Sequence, residues 1–359
     1  MKGTLKIVTL FNIPVFLHWS FPFIFLWILF LGYQVGSGVE GIAILTVFFL
    51  LIFVCVVLHE FGHALTARRY GVNTQDIILS PLGGIARLER IPDRPIEEFI
   101  VAIAGPAVNV VIALLLLPLI YYLRRDGFDL VGDDLEVISQ WGNLGPLILA
   151  TNVALVIFNM VPAFPMDGGR VLRSLLAMTM SRVKATKIAY IVAQFCAAAF
   201  FIYGLYSMNY ILCFIAVFVV VTSRFEWKNV KRAAHLENKT ARDLMKSNQT
   251  KFYLDETIQH VMDTSTGSEN YFLVFNRNER IAGVLFHEFI RHAKTVHDLD
   301  APIEKYRSHT WEAVSIDLPL EQLISLFQKK GYGIVPVYET GELVGQVDIN
   351  TLNQFVRGV

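Results

Sequence analysis

The chain has 359 residues, 54% of them hydrophobic and 17% charged, and its 31 basic and 31 acidic side chains give a formal net charge of +0. A mean hydropathy of +0.49 places it among membrane proteins rather than soluble enzymes. No segment able to fold outside lipid carries a basic stripe, which excludes nucleic acid as a partner; Cys55, Cys196 and Cys213 lie in apolar runs without metal or disulfide spacing, which excludes a disulfide scaffold or a thiolate centre.

A membrane span needs about 20 apolar residues, and six stretches qualify in chain order: 15–33, 41–67, 99–123, 144–161, 188–206 and 211–225. The first follows Lys2 and Lys6 but is aromatic and has no small-residue cleavage site, so it reads as a span and not as a removed signal peptide. The last is short, and the uncharged Ser207-Met208-Asn209 turn pairs it with the fifth as a tight helical hairpin. Basic residues set the orientation. Lys2 and Lys6, the arginines from Arg68 to Arg94, and the basic residues from Arg170 to Lys187 and from Arg224 to Arg232 collect on one side. The other side has only Arg124 and Arg125, in an acidic loop with Asp126, Asp129, Asp133, Asp134 and Glu136. The expectation is a multi-pass protein of the cell membrane with both termini cytoplasmic.

Composition changes after Phe225. The segment 226–239 is polar and reads as a linker, which separates a membrane domain, 1–225, from a soluble domain, 240–359. Within the soluble domain a helix, strand, strand, helix pattern occurs twice, at about 240–293 and 296–359. The first copy runs from Ala241-Arg242-Asp243-Leu244-Met245 through the strand 271–275 to 283–290; the second runs from Val296-His297-Asp298-Leu299 through the helix 320–330 and strand 334–337 to 345–352. This pattern resembles a tandem pair of CBS domains, a fold that in many families senses adenine nucleotides. The family usually places a Ser or Thr and an Asp after the glycine to hold a ribose. The stretches after Gly283 and Gly345 supply neither in place. Adenine-nucleotide binding and a structural or dimerising role, including a homodimer through the pair, therefore both stay open.

His59-Glu60-Phe61-Gly62-His63 closes an uncharged run that begins at Gly41. An HExxH arises by chance roughly once in a hundred chains of this composition. Within a span, however, ionisable groups cost about 2.5–3.5 kcal/mol each on insertion scales, so three together need partners or a metal. On a helix, residues i and i+4 share a face, so His59 and His63 can reach one tetrahedral zinc. Glu60 lies beside them, where a general base taking a proton from an activated water must sit. Catalytic zinc usually takes a third protein ligand, and Asp167 is the only carboxylate in the proline-broken segment 158–170 that ends the fourth span.

Together, HExxH and Asn159-x-x-Pro162-x-x-Pro165-x-Asp167-Gly168-Gly169 resemble the site-2 protease family of intramembrane zinc metalloproteases. The resemblance covers 11–225 and extends to Ala104-Gly105-Pro106-Ala107-Val108-Asn109, which is similar to the family's AGPxxN, and to Pro81-Leu82-Gly83-Gly84-Ile85, where the family has a small membrane-associated β-hairpin. The fold it implies is a polytopic α-helical membrane protein of six transmembrane helices with that hairpin, plus the soluble α/β tandem CBS domain. It also implies that His59, His63 and Asp167 bind one zinc per chain, that Glu60 is the catalytic base and acid, and that Asn159 donates to the developing oxyanion. From the residues alone, Asn159 could equally satisfy backbone carbonyls freed at the broken helix. Asn109 and Asn152 read as helix–helix hydrogen-bonding residues.

The implied activity is cleavage of a peptide bond in or next to a transmembrane segment of a membrane protein, as in regulated intramembrane proteolysis, with the CBS pair as a regulator. A helix protects its own carbonyls, so the substrate must unwind, and the residues 76–79 and 85–88 flanking Gly83-Gly84 offer an edge strand to hold it extended. The alternative from a different class is a channel or transporter gated by the CBS pair, which has no reason to hold a tight zinc. A membrane peptidase acting on soluble peptides or prenylated termini is the other; such enzymes complete HExxH with a Glu on a later helix, unlike the Asp167-Gly168-Gly169 segment.

Overall fold

The computed structural model describes residues 3–34, 38–81, 83–123, 141–247, 250–265 and 269–357. The acidic loop with Arg124 and Arg125 lies outside the described residues, as does Leu82. The chain divides into two compact units, Met1–Val230 and Lys231–Val359.

The first unit opens with strands β1 (Thr4–Leu10) and β2 (Ile13–His18), joined through Phe11 and Asn12, both at positive φ, and paired antiparallel. β2 runs parallel to β3 (Thr74–Ser80), which folds back antiparallel on β4 (Gly83–Leu88), so the sheet has the order β1-β2-β3-β4. The sheet is thus larger than the two-stranded hairpin expected from sequence. It also takes the first four residues of the predicted span 15–33, and residues 19–22 are a turn. Ile13 and Val15 point inward at 0% and 1% exposure while their neighbours do not, a period of two that suits a strand. Only α1 (Phe23–Gln34) is helical there, and its 12 residues reach about 18 Å against a hydrocarbon core of about 30 Å.

Helices α2 (Val39–Arg69), α3 (Pro95–Leu123), α4 (Leu144–Asn159), α5 (Asp167–Ala177), α6 (Arg182–Tyr206) and α7 (Tyr210–Leu236) complete the unit's helical part. Among the described residues, five helices are long and apolar enough to cross a membrane: α2, α3, α4 with the short 3-10 turn before it, α6 and α7. Between α6 and α7, Met208 adopts φ 55° and the Asn209 N–H donates to the Gly204 carbonyl at 2.8 Å. A Cβ on Gly204 would lie 2.7 Å from Cys213 Sγ, so this helical turn closes only around a glycine. α7 does not stop at the end of its apolar stretch but continues through Leu236, so much of the expected 226–239 linker is helix.

α2 lays Phe61 and Ala64 on the face of the sheet formed by Ile13, Val15, Ile77 and Leu79. α2 and α3 approach closely at Gly62, where a Cβ would come within 2.6 Å of the Ala104 carbonyl. α5 is tied to α3 through Arg173, 1% exposed, which donates from Nε to Glu98 Oε1 at 2.8 Å and also pairs with Glu226 of α7. The Phe164 ring faces the same guanidinium at 5.1 Å.

The second unit contains two three-stranded sheets of the same topology. One is β5 (Phe252–Tyr253), β6 (Tyr271–Phe275) and β7 (Ile281–Phe286); the other is β8 (Val314–Ser315), β9 (Ile334–Glu339) and β10 (Glu342–Asp348). In each, a two-residue strand runs parallel to the middle strand, which pairs antiparallel with the third. Helices α8 (Ile258–Thr264) and α9 (His287–Thr295) accompany the first, and α10 (Leu320–Lys330) and α11 (Ile349–Arg357) the second.

The hydrophobic clusters cut across the two sequence repeats. Ala241 and Leu244, which begin the first repeat, pack with Val335, Val337 and Leu352 of the second. Conversely Leu299, Ile303 and Tyr306, which begin the second, pack with Phe272, Val274 and Leu285 of the first. Paired backbone bonds follow the same exchange, Lys246 with Gln346 and Ser308 with Val284. The sequence boundaries at 240–293 and 296–359 therefore mark repeats of pattern, whereas each core is built from both.

Candidate metal centre

His59 and His63 sit one turn apart on α2, and Asp167 is the first residue of α5, where the helix N-terminus favours a carboxylate. The segment before it breaks at Pro162 and Pro165, and Gly168 and Gly169 let it fold back. A Cβ on Gly168 would meet the Val161 carbonyl at 2.3 Å, and one on Gly169 would meet Ala163 at 2.8 Å. The Asp167-Gly168-Gly169 sequence is therefore a packing requirement for delivering the carboxylate to α2.

The three side chains converge. His59 Nε2 and His63 Nε2 lie 3.1 Å apart, and Asp167 Oδ2 is 3.1 Å from the first and 3.2 Å from the second. All three residues are buried, and together they form a group able to hold a metal ion. Around a tetrahedral zinc with bonds of about 2.0–2.1 Å, ligand atoms stand about 3.3–3.4 Å apart. The observed triangle is close to that size.

Hydrogen bonding fixes which nitrogens are available. His59 Nδ1 donates to Asn109 Oδ1 at 2.5 Å, and His63 Nδ1 donates to the Val101 carbonyl at 2.7 Å. Both Nε2 atoms then present lone pairs, and they face a carboxylate oxygen. Three lone-pair atoms packed within 3.2 Å repel unless a cation lies among them. Gly105 of α3 adds a steric condition: a Cβ there would come within 2.2 Å of His63 Nε2 and 2.8 Å of His59 Nε2. Donor chemistry and free space both fit zinc.

Asn109 extends the arrangement inward, since its amide donates to Asn152 Oδ1 at 2.8 Å and Asn152 donates to the Ile148 carbonyl at 2.8 Å. The sequence identifies these asparagines as links between helices, and they are; the orientation of His59 by Asn109 becomes visible only once α2 and α3 are packed. Gly105 and the Val101 carbonyl were also not distinguishable from sequence as parts of the site, although Gly105 lies within Ala104-Gly105-Pro106.

Glu60 follows His59 on α2, and its Oε2 accepts the Ala86 N–H of β4 at 2.9 Å. Gly84 of the same strand is held against it, because a Cβ there would be 2.9 Å from Glu60 Cγ and 3.0 Å from Val56 Cγ1. Asn159 ends α4, half-buried, and its amide makes no hydrogen bond to another described residue.

A buried His-His-Asp cluster with a carboxylate beside it, carried on helices of membrane-crossing length, defines a membrane-embedded metallopeptidase. The family model for peptidase family M50 matches residues 47–133 and 131–203, and the CBS domain model matches 308–358. Zinc metalloprotease MJ0392 of Methanocaldococcus jannaschii is 35% identical over 73% of this chain and 72% of that protein. Putative zinc metalloprotease sll0528 of Synechocystis sp. is 28% identical over 97% of this chain and 94% of that protein. The solved structure described as a site-2 protease from Methanocaldococcus jannaschii is 34% identical, covering 62% of this chain and 95% of that one with a TM-score of 0.44. The chain belongs to peptidase family M50, the site-2 protease type of intramembrane zinc metalloprotease, and carries a CBS domain.

Proposed function

We propose that His59, His63 and Asp167 hold one zinc ion, that Glu60 is the proton-transfer group, and that the substrate is a membrane protein cleaved in or next to a transmembrane segment. The observation that carries this reading is the meeting of two histidine Nε2 atoms and one carboxylate oxygen within 3.2 Å, with Glu60 next to His59 in sequence and bonded to β4. When bound, zinc supplies Lewis-acid polarisation of the scissile carbonyl and acidifies water. Glu60 takes the proton from the attacking water and returns it to the leaving amine nitrogen. Asn159, at the end of α4 with an unspent amide, donates to the developing oxyanion.

β4 is the substrate clamp in this reading. Among the described residues no strand pairs with its outer edge, which is the edge that offers the Ala86 N–H to Glu60. An unwound substrate segment added along that edge lies directly beside Glu60. The sheet is membrane-associated, its exposed β1 residues Leu5, Ile7 and Leu10 supporting a place at the lipid boundary. The count of Lys and Arg supports cytoplasmic termini in a cell membrane, with domains 1–225 and 240–359 joined through 226–239.

The soluble CBS unit is a regulator and a candidate homodimer surface. Against adenine-nucleotide binding at the second repeat, Asp348 is already engaged: it accepts the Thr351 hydroxyl at 2.7 Å and pairs with Lys246 at 3.0 Å.

The test is zinc content together with cleavage of a reporter transmembrane substrate. Glu60→Gln keeps zinc and loses cleavage by about 100-fold or more, whereas His59→Ala, His63→Ala and Asp167→Ala lose both. Cleavage surviving in Glu60→Gln, or wild-type protein without bound zinc, refutes the reading.

A further inference from the structure

Beyond the end of β4 a cavity of about 160 Å³ opens between the 88–92 segment, α3 and the start of α5. Leu88, Arg90, Pro92, Glu98, Arg170 and Arg173 are among its walls. Three of these are guanidinium groups and one is a carboxylate. Glu98 is fully committed, to Arg173 and to Arg182 at 3.2 Å, and Arg173 is shared between Glu98 and Glu226. Among the described residues Arg90 pairs only with Asp93, in an exposed pair of small energetic weight. Arg170, half-buried, has no ion-pair partner among the described residues. The cavity therefore has uncompensated positive charge inside partly buried walls.

Its position connects it to the metal centre on two sides. Arg170 stands one helical turn after Asp167 on α5, and Val101, which also lines the cavity, supplies the carbonyl that holds His63. Its third wall is the direct continuation of β4. Strands advance about 3.3 Å per residue, so Leu88, the last residue of β4 and part of the cavity wall, lies about 7 Å along the strand from Ala86, the residue that touches Glu60, and the chain bends at Arg90. A substrate strand paired along β4 with its scissile bond at Glu60 brings the side chain two to four residues away into this cavity. A volume near 160 Å³ matches a group of about benzene size, enough for one Glu side chain, and the guanidinium groups in its walls favour a charged occupant over an apolar one of the same size.

We propose that this cavity is a specificity subsite for an acidic substrate side chain, two to four residues from the cleaved bond, with Arg170 as the specificity-determining residue. The inference rests on the edge-pairing reading of β4. Arg170 holds the carboxylate, Arg90 adds field from the open side, and Arg173 with Glu98 and Arg182 fixes the back wall.

The test uses the full-length zinc-loaded chain and reporter transmembrane substrates carrying Glu, Gln or Lys at each position from two to four residues on either side of the cleavage site. The wild type prefers Glu over Lys at one of these positions by about tenfold or more in kcat/KM, as a charge-assisted hydrogen bond to Arg170 requires. Arg170→Gln brings the ratio to about twofold or less with zinc content unchanged, and Arg170→Glu inverts it. Should Arg170→Gln lose zinc, Arg90→Gln lowers the same ratio and serves instead. A wild type indifferent to charge at every position, or a Glu preference unaltered in the zinc-retaining variant, overturns the subsite while leaving the protease reading intact. Absence of cleavage for all reporters by zinc-loaded wild type overturns the edge-pairing reading and the subsite with it.

Discussion

His59 Nδ1–H donates to Asn109 Oδ1, and the Asn109 amide in turn donates to Asn152 Oδ1, so the direction of the His59 Nε2 on α2 is set by two amides on α3 and α4. The chain crosses three helices without a charged group. It is a polar wire whose every member is buried and satisfied, which is the condition under which such a network rigidifies a site instead of weakening it. Outer partners of this kind typically govern 10- to 100-fold of metal affinity. Asn109→Ala is therefore expected to weaken zinc binding by about that factor, while Asn109→Asp, which keeps the acceptor toward His59, retains more of it. Zinc competition with a chelator on the purified protein separates the two, and equal affinity in all three forms would remove Asn109 from the site.

Gly105 offers a sharper test because it contributes no ligand. Adding one methyl group places a carbon 2.2 Å from His63 Nε2. Gly105→Ala is expected to lose zinc with every metal-binding side chain still present, measured as metal content after dialysis. Retention of a full zinc complement would show that α3 can move aside.

Gly84 separates proton transfer from metal binding. A valine there drives its Cβ into Glu60 Cγ at 2.9 Å and Val56 Cγ1 at 3.0 Å. Gly84→Val is expected to keep zinc and lose about tenfold or more in cleavage, since small misplacements of a catalytic group carry large rate costs. Unchanged cleavage of a native substrate at unchanged zinc content would dismiss both the β4 clamp and the positioning of Glu60 by this strand.

The soluble unit carries its own signature in pH. Burial pushes the Asp348 carboxyl upward, but the Thr351 N–H and hydroxyl and the Lys246 ammonium outweigh it and hold the group below its ordinary value. A depressed carboxyl contributes stability in full above its unfolded value near pH 4 and loses it as pH falls through the folded value. Asp348→Asn should accordingly be less stable than wild type at neutral pH, and the difference should shrink as pH falls through the folded value of Asp348. Thermal unfolding of the intact chain across pH 2–7, followed on the soluble unit, checks this; a constant difference across that range would assign the effect to something other than charge.

Much of this site was readable from sequence, because its chemistry depends on spacing. Two histidines four apart must share a helix face, and a lone Asp167 between two prolines and two glycines has few alternative uses. The first predicted span was not readable in the same way. Apolar content alone does not distinguish a lipid-facing helix from a strand packed between sheet and helix, and Ile13–His18 is apolar for the second reason. The continuation of α7 past Phe225 was hidden for the opposite cause: Glu226 looks like the beginning of a solvated linker, but one of its carboxylate oxygens is engaged by buried Arg173. The cavity beside Arg170 left no sequence signal at all, since its walls come from three separate stretches.

The exchange of opening segments in the second unit gives the CBS pair a property that its repeated sequence conceals. A cut between residues 295 and 296 would yield two halves, each with a complete set of strands and neither with a complete core. Ala241 and Leu244 would be separated from Val335 and Val337, and Ile303 from Phe272 and Leu285. The halves would be obliged to find each other to fold, as the two strands of a split protein do. A substitution in either core, at Val335 or at Phe272, therefore disturbs side chains contributed by both repeats.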